Sequence, residues 1–460
     1  MSAPDDPRPE SSTSGAGSGY RRYLFGVIVT VMMLNTVDRH IVSILLDDIK
    51  ADLSLTDGQL GWILGPSFTV IYALSVLPLA RWADTGVRRN VIAIGLAAWS
   101  FFTMTTAWVQ GFTHLLLLRM GVGVGEASAG PAIQSLISDT VPPAERSRGL
   151  SFISIGAVLG LAVGMAGGGW LNELWGWRVA FLVAGAPGLL VAVVFRLTIR
   201  EPVRGASEGR DVAKEPKGSL REDCRYLLSL PSMRWLLVAH MFALLYTAGK
   251  GAWEPTFIRR VYDMGSGAAG TWYFLTTPIP SIFGLWFGGW LCDRWSRRDE
   301  RAYLWVPVLS LLGSLPFMLL FLLWPSDHRV DLPLGLPPFP VAFSFSVVSS
   351  VVGAMHSAPF LALVQGLAKL RMRASAAALF SVTGSGIGSG IGPLLVGYMN
   401  VELAARFGHE AIRWGLVGLS FGFILASAAC FLSARSVRAD LALTRRSSAD
   451  PPSLADGASA

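Results

Sequence analysis

The chain has 460 residues, of which 52% are hydrophobic and 15% charged, and its formal net charge is +7. A soluble domain carries roughly 25% charged residues to solvate its surface, so most of this surface must face lipid. The basic excess sits in short turns between apolar runs and fits no nucleic-acid-binding module, which excludes a nucleic-acid partner.

The first 19 residues, rich in Ser, Gly, Pro and Asp, read as a disordered cytoplasmic N-terminus without the form of a cleavable signal. At about 20 apolar residues per crossing, twelve membrane helices are predicted. The first six fall near 22–46, 58–82, 90–109, 112–138, 149–171 and 179–199, a bundle over residues 20–199. A polar cytoplasmic linker follows over 200–231, with a short amphipathic helix near 219–229. The second six fall near 233–256, 268–292, 302–324, 339–366, 373–400 and 411–435, a bundle over 232–436. Residues 437–460 read as a disordered cytoplasmic tail.

Lys and Arg are retained on the cytoplasmic side of a membrane. Alternate loops carry Arg88/Arg89, Arg146/Arg148, the basic linker and Arg294/Arg297/Arg298, which places both termini in the cytoplasm. The intervening loops are acidic or neutral, with Asp47, Asp48, Asp52 and Asp57 after the first span; Arg259 and Arg260 are the exception. The expected location is a cell membrane, the inner one in a bacterium. The three cysteines, Cys224, Cys292 and Cys430, have no metal-type spacing and imply neither a metal site nor a disulfide framework.

Two loops share one charge pattern 209 residues apart (293 − 84). Ala80-Arg-Trp-Ala-Asp84 runs on to Arg88 and Arg89, and Gly289-Trp-Leu-Cys-Asp293-Arg294 runs on to Arg297 and Arg298. Two related halves with charged turns describe a pseudo-symmetric transporter, and an Asp beside basic residues at a helix end can latch one conformation.

Ionisable residues inside the spans are costly and normally face a cavity or a partner. The first span holds Asn35, Asp38 and Arg39; the fourth holds Arg119 and Glu126, seven apart on one helix face. Asp38 and Arg39 diverge by roughly 100° and need different partners. Asp38 and Glu126 are candidate proton sites, and Asn35, Arg39 and Arg119 candidate substrate contacts; the alternative is a fixed ion-pair network that never changes protonation. Gly121, Gly123 and Gly125 permit either close helix packing or a gating flex. In the seventh span Lys250 and Glu254 form an i,i+4 pair at an interface or line a pathway or gate, and His356 in the tenth is a packing residue or a pathway residue.

On these residues the chain resembles the major facilitator superfamily. Gly289, Asp293, Arg294, Arg297 and Arg298 match its small-xxx-Asp-Arg-x-x-Arg-Arg signature, whereas the first-half loop departs at Thr85 and Gly86. Within that superfamily it is similar to Spinster-type lipid transporters. The likeness lies in Asn35-Thr-Val-Asp38-Arg39, Arg119 through Glu126 to Ser128, Pro131, Ser138-Asp139, Trp177-Arg178 and Glu201-Pro202. The resemblance implies an all-α polytopic fold of two six-helix bundles and alternating access about a central cavity. It also implies an amphipathic substrate such as sphingosine phosphate or a lysophospholipid. Protons are the expected coupling ion, membrane lipids the surroundings, and a monomer without cofactor the expected unit. A symporter of small organic anions would use the same arginines. An enzyme is not expected, since no HExxH, GxSxG or paired Cys/His set is present.

Overall fold

The computed structural model describes residues 18–141, 145–202, 220–330, 339–369 and 372–449. The N-terminal 17 residues, the linker interior 203–219 and the final segment 450–460 lie outside the described residues. Apart from a two-residue β-ladder pairing Arg329–Val330 with Phe339–Pro340, the regular structure is helical. Apolar sequence in lipid leaves backbone groups no water to bond, and a helix satisfies them within one segment.

The first half holds α1 (Ser18–Leu53), α2 (Asp57–Leu64), α3 (Pro66–Thr85), α4 (Arg88–Thr105), α5 (Phe112–Ala127), α6 (Ala129–Thr140), α7 (Arg146–Ala162) and α8 (Gly168–Thr198). After α9 (Leu220–Ser229), the second half holds α10 (Pro231–Tyr262), α11 (Ser266–Thr276), α12 (Pro278–Ser296), α13 (Ala302–Leu323), α14 (Ala342–Ala354), α15 (Ser357–Leu367), α16 (Arg373–Ser381), α17 (Ser389–Phe407) and α18 (Ala411–Ala434). Among the described residues, seven helical stretches are long and apolar enough to cross a membrane, or eight if the α9–α10 pair, bent by 95°, counts as one. Two of the seven, Arg148–Thr198 and Ser375–Ala434, run to 51 and 60 residues. A crossing takes about 20 residues, so neither is a single span. Gly176 (φ 83°) interrupts the first and Gly408 (φ 56°) the second, in a backbone region that glycine enters freely.

Helix irregularities repeat between the halves. The α2/α3 break at Gly65 is matched by the α11/α12 break at Thr277, each followed by proline, 212 residues apart (277 − 65). The α5/α6 break at Ser128 is matched by the α14/α15 break at Met355–His356. A π-helical turn at Val163–Gly167 is matched by one at Val382–Gly388. The two π turns pack on the matching helices α1 and α10: a Cβ on Gly164 would stand 3.1 Å from the Val37 Cα, and one on Gly388 would stand 3.1 Å from the Leu245 nitrogen.

Helix ends differ from the sequence expectation where charge supports them. α1 reaches Leu53 and α10 reaches Tyr262, well beyond 46 and 256, because the added turns carry Asp47, Asp48, Arg259 and Arg260 into ion pairs. The expected disordered tail is corrected in its first part: Val437–Ala449 is a helix, α19. Asp440 accepts hydrogen bonds from the Ser232 amide (2.9 Å) and hydroxyl (2.6 Å), at the start of α10. Arg438 and Arg445 pair with Asp299 (2.9 Å) and Glu300 (2.6 Å), in the turn after the Asp293 motif. The Arg301 amide, followed by Arg438, holds the Asp299 carboxyl below the usual carboxylate range.

Two buried apolar clusters result. One lies within the first half, around Leu24, Ile28, Trp99 and Phe195. The other joins both halves through residues such as Leu45, Ile63, Trp177, Phe257 and Tyr262.

Candidate functional site

The middle of α1 places three sequence-predicted residues, Asn35, Asp38 and Arg39, against Arg119 and Glu126 of α5. Asp38 and Glu126 are 1% exposed, Arg119 and Asn35 also buried, while the Arg39 side chain keeps 36% exposure. Arg39 Nε donates to Glu126 Oε2 at 2.6 Å. Arg119 donates to the backbone carbonyl of Asp38 at 3.1 Å, not to its carboxylate. Asp38 Oδ1, Arg119 Nε and Glu126 Oε1 have no hydrogen-bond partner. Buried polar groups are nearly always bonded, so three unbonded atoms on facing charged residues single this cluster out as a candidate site.

The glycines of α5 admit its neighbours. A Cβ on Gly125 would stand 2.7 Å from the Trp99 nitrogen of α4, and one on Gly123 would stand 3.1 Å from the Phe68 carbonyl of α3. That approach lays Phe68 and Tyr72 against the arginines. The Arg39 guanidinium lies 5.1 Å from the Phe68 ring centre and 5.0 Å from that of Tyr72, and Arg119 lies 5.5 Å from Phe68. Aromatic faces attract guanidinium charge and offset the mutual repulsion of two cations. With Nε on Glu126, the terminal amino groups of Arg39 remain for an anionic group, which the guanidinium fork can hold in bidentate fashion.

The predicted latch residues do not converge. Asp84 and Asp293 are exposed, as are Arg294, Arg297 and Arg298; none has a side-chain hydrogen bond or ion pair among the described residues. Arg88 is instead 1% exposed. It pairs with Asp139 and with Glu201 (2.8 Å), and donates to the Pro202 carbonyl (3.0 Å). Arg89 donates to the Ile199 carbonyl at 3.1 Å. Both arginines staple the end of α8 to α4 within the first half.

In the second half, Lys250 Nζ lies 3.3 Å from Glu254 Oε2. Glu254 Oε1 accepts from Thr277 (3.0 Å) and Ser346 (3.2 Å). His356 is buried apart from this pair, bonded through Nδ1 to the Gly353 carbonyl at 2.6 Å.

Sequence reasoning did not assign the densest cluster. Arg260 donates to Asp57 twice (2.6 and 3.0 Å) and pairs with Asp47 at 2.7 Å. Lys50 and Asn400 also reach Asp57, at 2.6 and 3.2 Å. Arg259 pairs with Asp48 (2.6 Å) and donates to the Ile44 carbonyl (3.0 Å). Further hydrogen bonds between the halves at this end include Asn172 to Ser266 (2.8 Å), Ser266 to the Gly169 carbonyl (2.8 Å), the Gly267 amide to Glu173 (2.9 Å), Trp170 to Thr271 (3.2 Å), Trp62 to Tyr398 (3.1 Å) and Thr256 to the Ser43 carbonyl (3.4 Å). Among the described residues, the hydrogen bonds and ion pairs between the halves all lie at this end, opposite Asp84 and Asp293. The signal was present in the two arginines that broke the loop-charge rule and the four aspartates after the first span. Only pairing across the halves gives them a role.

The sequence profile of the Major Facilitator Superfamily matches residues 28–393. An MFS-type efflux pump of Mycolicibacterium smegmatis is 32% identical over 419 residues, covering 90% of this chain and 93% of that protein. Protein spinster homolog 1 of Bos taurus is 28% identical over 325 residues, covering 67% of this chain and 61% of its own length. The crystal structure of a bacterial homolog to the human lysosomal transporter Spinster, inward-facing and unoccupied, superposes with a TM-score of 0.81 at 25% identity, over 92% of this chain and 99% of that one. With a predominantly helical, repeated fold and charges paired between its halves, the chain belongs to the Major Facilitator Superfamily and is a Spinster-like multi-pass membrane transporter.

Proposed function

We propose that the protein is a proton-coupled secondary transporter with twelve spans, acting as a monomer by alternating access. Its substrate is an amphipathic anionic or zwitterionic lipid-like molecule of the lysophospholipid or sphingosine-phosphate kind. The observation that carries this reading is Arg39, partly exposed on the faces of Phe68 and Tyr72 and tied by one nitrogen to buried Glu126. An anionic headgroup that takes Arg39 releases Glu126, and protonation of Glu126 releases Arg39. Substrate and proton therefore act on one ion pair, with Asp38 as the neighbouring carboxyl. Asn35 lies one turn before Arg39 on α1 and contributes an amide to the same site.

The ion-paired end is the external gate, and both termini are cytoplasmic. Asp84 and Asp293 stand unpartnered because their latches close only when the gate opens. Reconstituted uptake with and without a pH gradient tests the reading. Lysolipids should compete for transport and short carboxylates should not, and Asp38→Asn or Glu126→Gln should abolish the response to the gradient. Undiminished proton-driven uptake by both variants would remove the pair from the mechanism, and competition by short carboxylates alone would replace the lipid with a small organic anion.

A further inference from the structure

The first half already holds the carboxyls assigned to proton coupling, yet the second half buries one of its own. Glu254 is fully buried and Lys250 is 7% exposed. Their 3.3 Å approach leaves Glu254 Oε2 without an aligned hydrogen bond, and Tyr246 Oη and Ser350 Oγ are likewise unbonded. A structural ion pair in this setting would be saturated with hydrogen bonds; this one is saturated on Oε1 only, by Thr277 and Ser346.

Its depth distinguishes it from the first-half cluster. α1 and α10 end at Leu53 and Tyr262, the same 209-residue offset (262 − 53) as the loop motifs. Glu254 thus corresponds to Leu45, seven residues beyond Asp38 along the helix (45 − 38), or about 10 Å nearer the gate. Arg259 and Arg260, which close that gate, follow on the same helix after little more than one turn. α10 packs against α11, which carries Tyr273; among the described residues, Tyr246, Tyr273 and Lys250 are titratable groups that face Glu254.

We propose that Glu254 is a second proton-exchanging carboxyl, placed beneath the gate and served by it. When Arg259 and Arg260 leave Asp48, Asp47 and Asp57, gate-side water reaches the unbonded Oε2. The carboxylate takes one proton from that water, and the Lys250 ammonium keeps its own protons but loses its ion-pair partner. Closing the gate traps the protonated acid against Thr277 and Ser346, and deprotonation restores the pair. The proposal extends the proton-coupled reading by adding a site that belongs to the second half and to the gate.

Acid-minus-alkaline infrared difference spectra of the full-length protein in liposomes test it. Glu254→Gln should remove one protonated-carboxyl band that persists in Asp38→Asn and in Glu126→Gln. Thr277→Val with Ser346→Ala should shift the frequency of that band without removing it, which decides the matter if Glu254→Gln fails to fold. Arg260→Gln should speed the hydrogen–deuterium exchange of the band several-fold. A Glu254→Gln spectrum identical to the parent, or a band unmoved by the hydroxyl variants, would overturn the proposal. If Asp38→Asn and Glu126→Gln remove no band while Glu254→Gln does, the first-half proton sites fall and this one stands.

Discussion

Removing Arg260 tests whether the cross-half ion pairs hold the gate shut. Arg260 donates to both oxygens of Asp57 and pairs with Asp47, and the Asp57 side chain is 6% exposed. Losing one partner of a buried pair costs about 3–5 kcal/mol, because the other charge stays buried alone. Asp57 would not be alone: Lys50 remains at 2.6 Å with its side chain 37% exposed, and Asn400 remains at 3.2 Å. With those two partners left, the loss falls below that range, to about 2 kcal/mol from the closed gate in Arg260→Gln. At about 1.4 kcal/mol per factor of ten, this shifts the ratio of open to closed molecules about 30-fold. Asp57→Asn should shift it in the same direction. The double variant should fall short of the sum, since each single change breaks the same contact. Spin-label distances across the gate, measured with one label beside Asp57 and one beside Arg260, report the populations directly. Distance distributions that match the parent in both single variants would refute the assignment of this cluster as the gate. Strict additivity would refute the contact as its energetic basis.

Two further outcomes follow from charges outside the central site. Arg88→Ala leaves Asp139 and Glu201 without their buried guanidinium, so thermal unfolding in detergent should show a loss of about 3 kcal/mol in stability, whereas Arg294→Ala in the exposed second loop should leave it unchanged. For the tail helix, the folded-state pKa of Asp299 is depressed, so its contribution to docking is complete above the ordinary Asp value of about 3.9 and is lost as pH falls through the folded-state value. Hydrogen exchange of Val437–Ala449 should therefore stay slow down to that acid range, while Asp299→Asn should speed it at neutral pH.

How much of this was legible in the sequence depends on the range of the interaction. The break points could not be read from hydropathy. Gly65 is needed because a side chain there would run into the carbonyl of Gly390, a residue of the other half. The seven-residue spacing of Arg119 and Glu126 placed them on one helix face, as expected. It did not show that Glu126 would answer Arg39 while Arg119 would bond a backbone carbonyl. Arg88 looked like a free latch cation by its place in a motif, yet the end of α8 folds over it and makes it a staple. The tail looked disordered because it is polar. Its helix gains stability from Ser232, Asp299 and Glu300, all distant along the chain.

Apolar runs, loop charges and a repeated Asp-to-Arg-Arg spacing determine a two-halved helical membrane protein and name its costly buried residues. These are properties of composition and local spacing, which act through the solvent and need no partner. Pairing is another matter. Which arginine meets which carboxylate, and which end of the molecule is held shut, depends on side chains two hundred residues apart, such as Asp57 and Arg260. Only the packing of α1 and α2 against α10 and α17 brings them within reach.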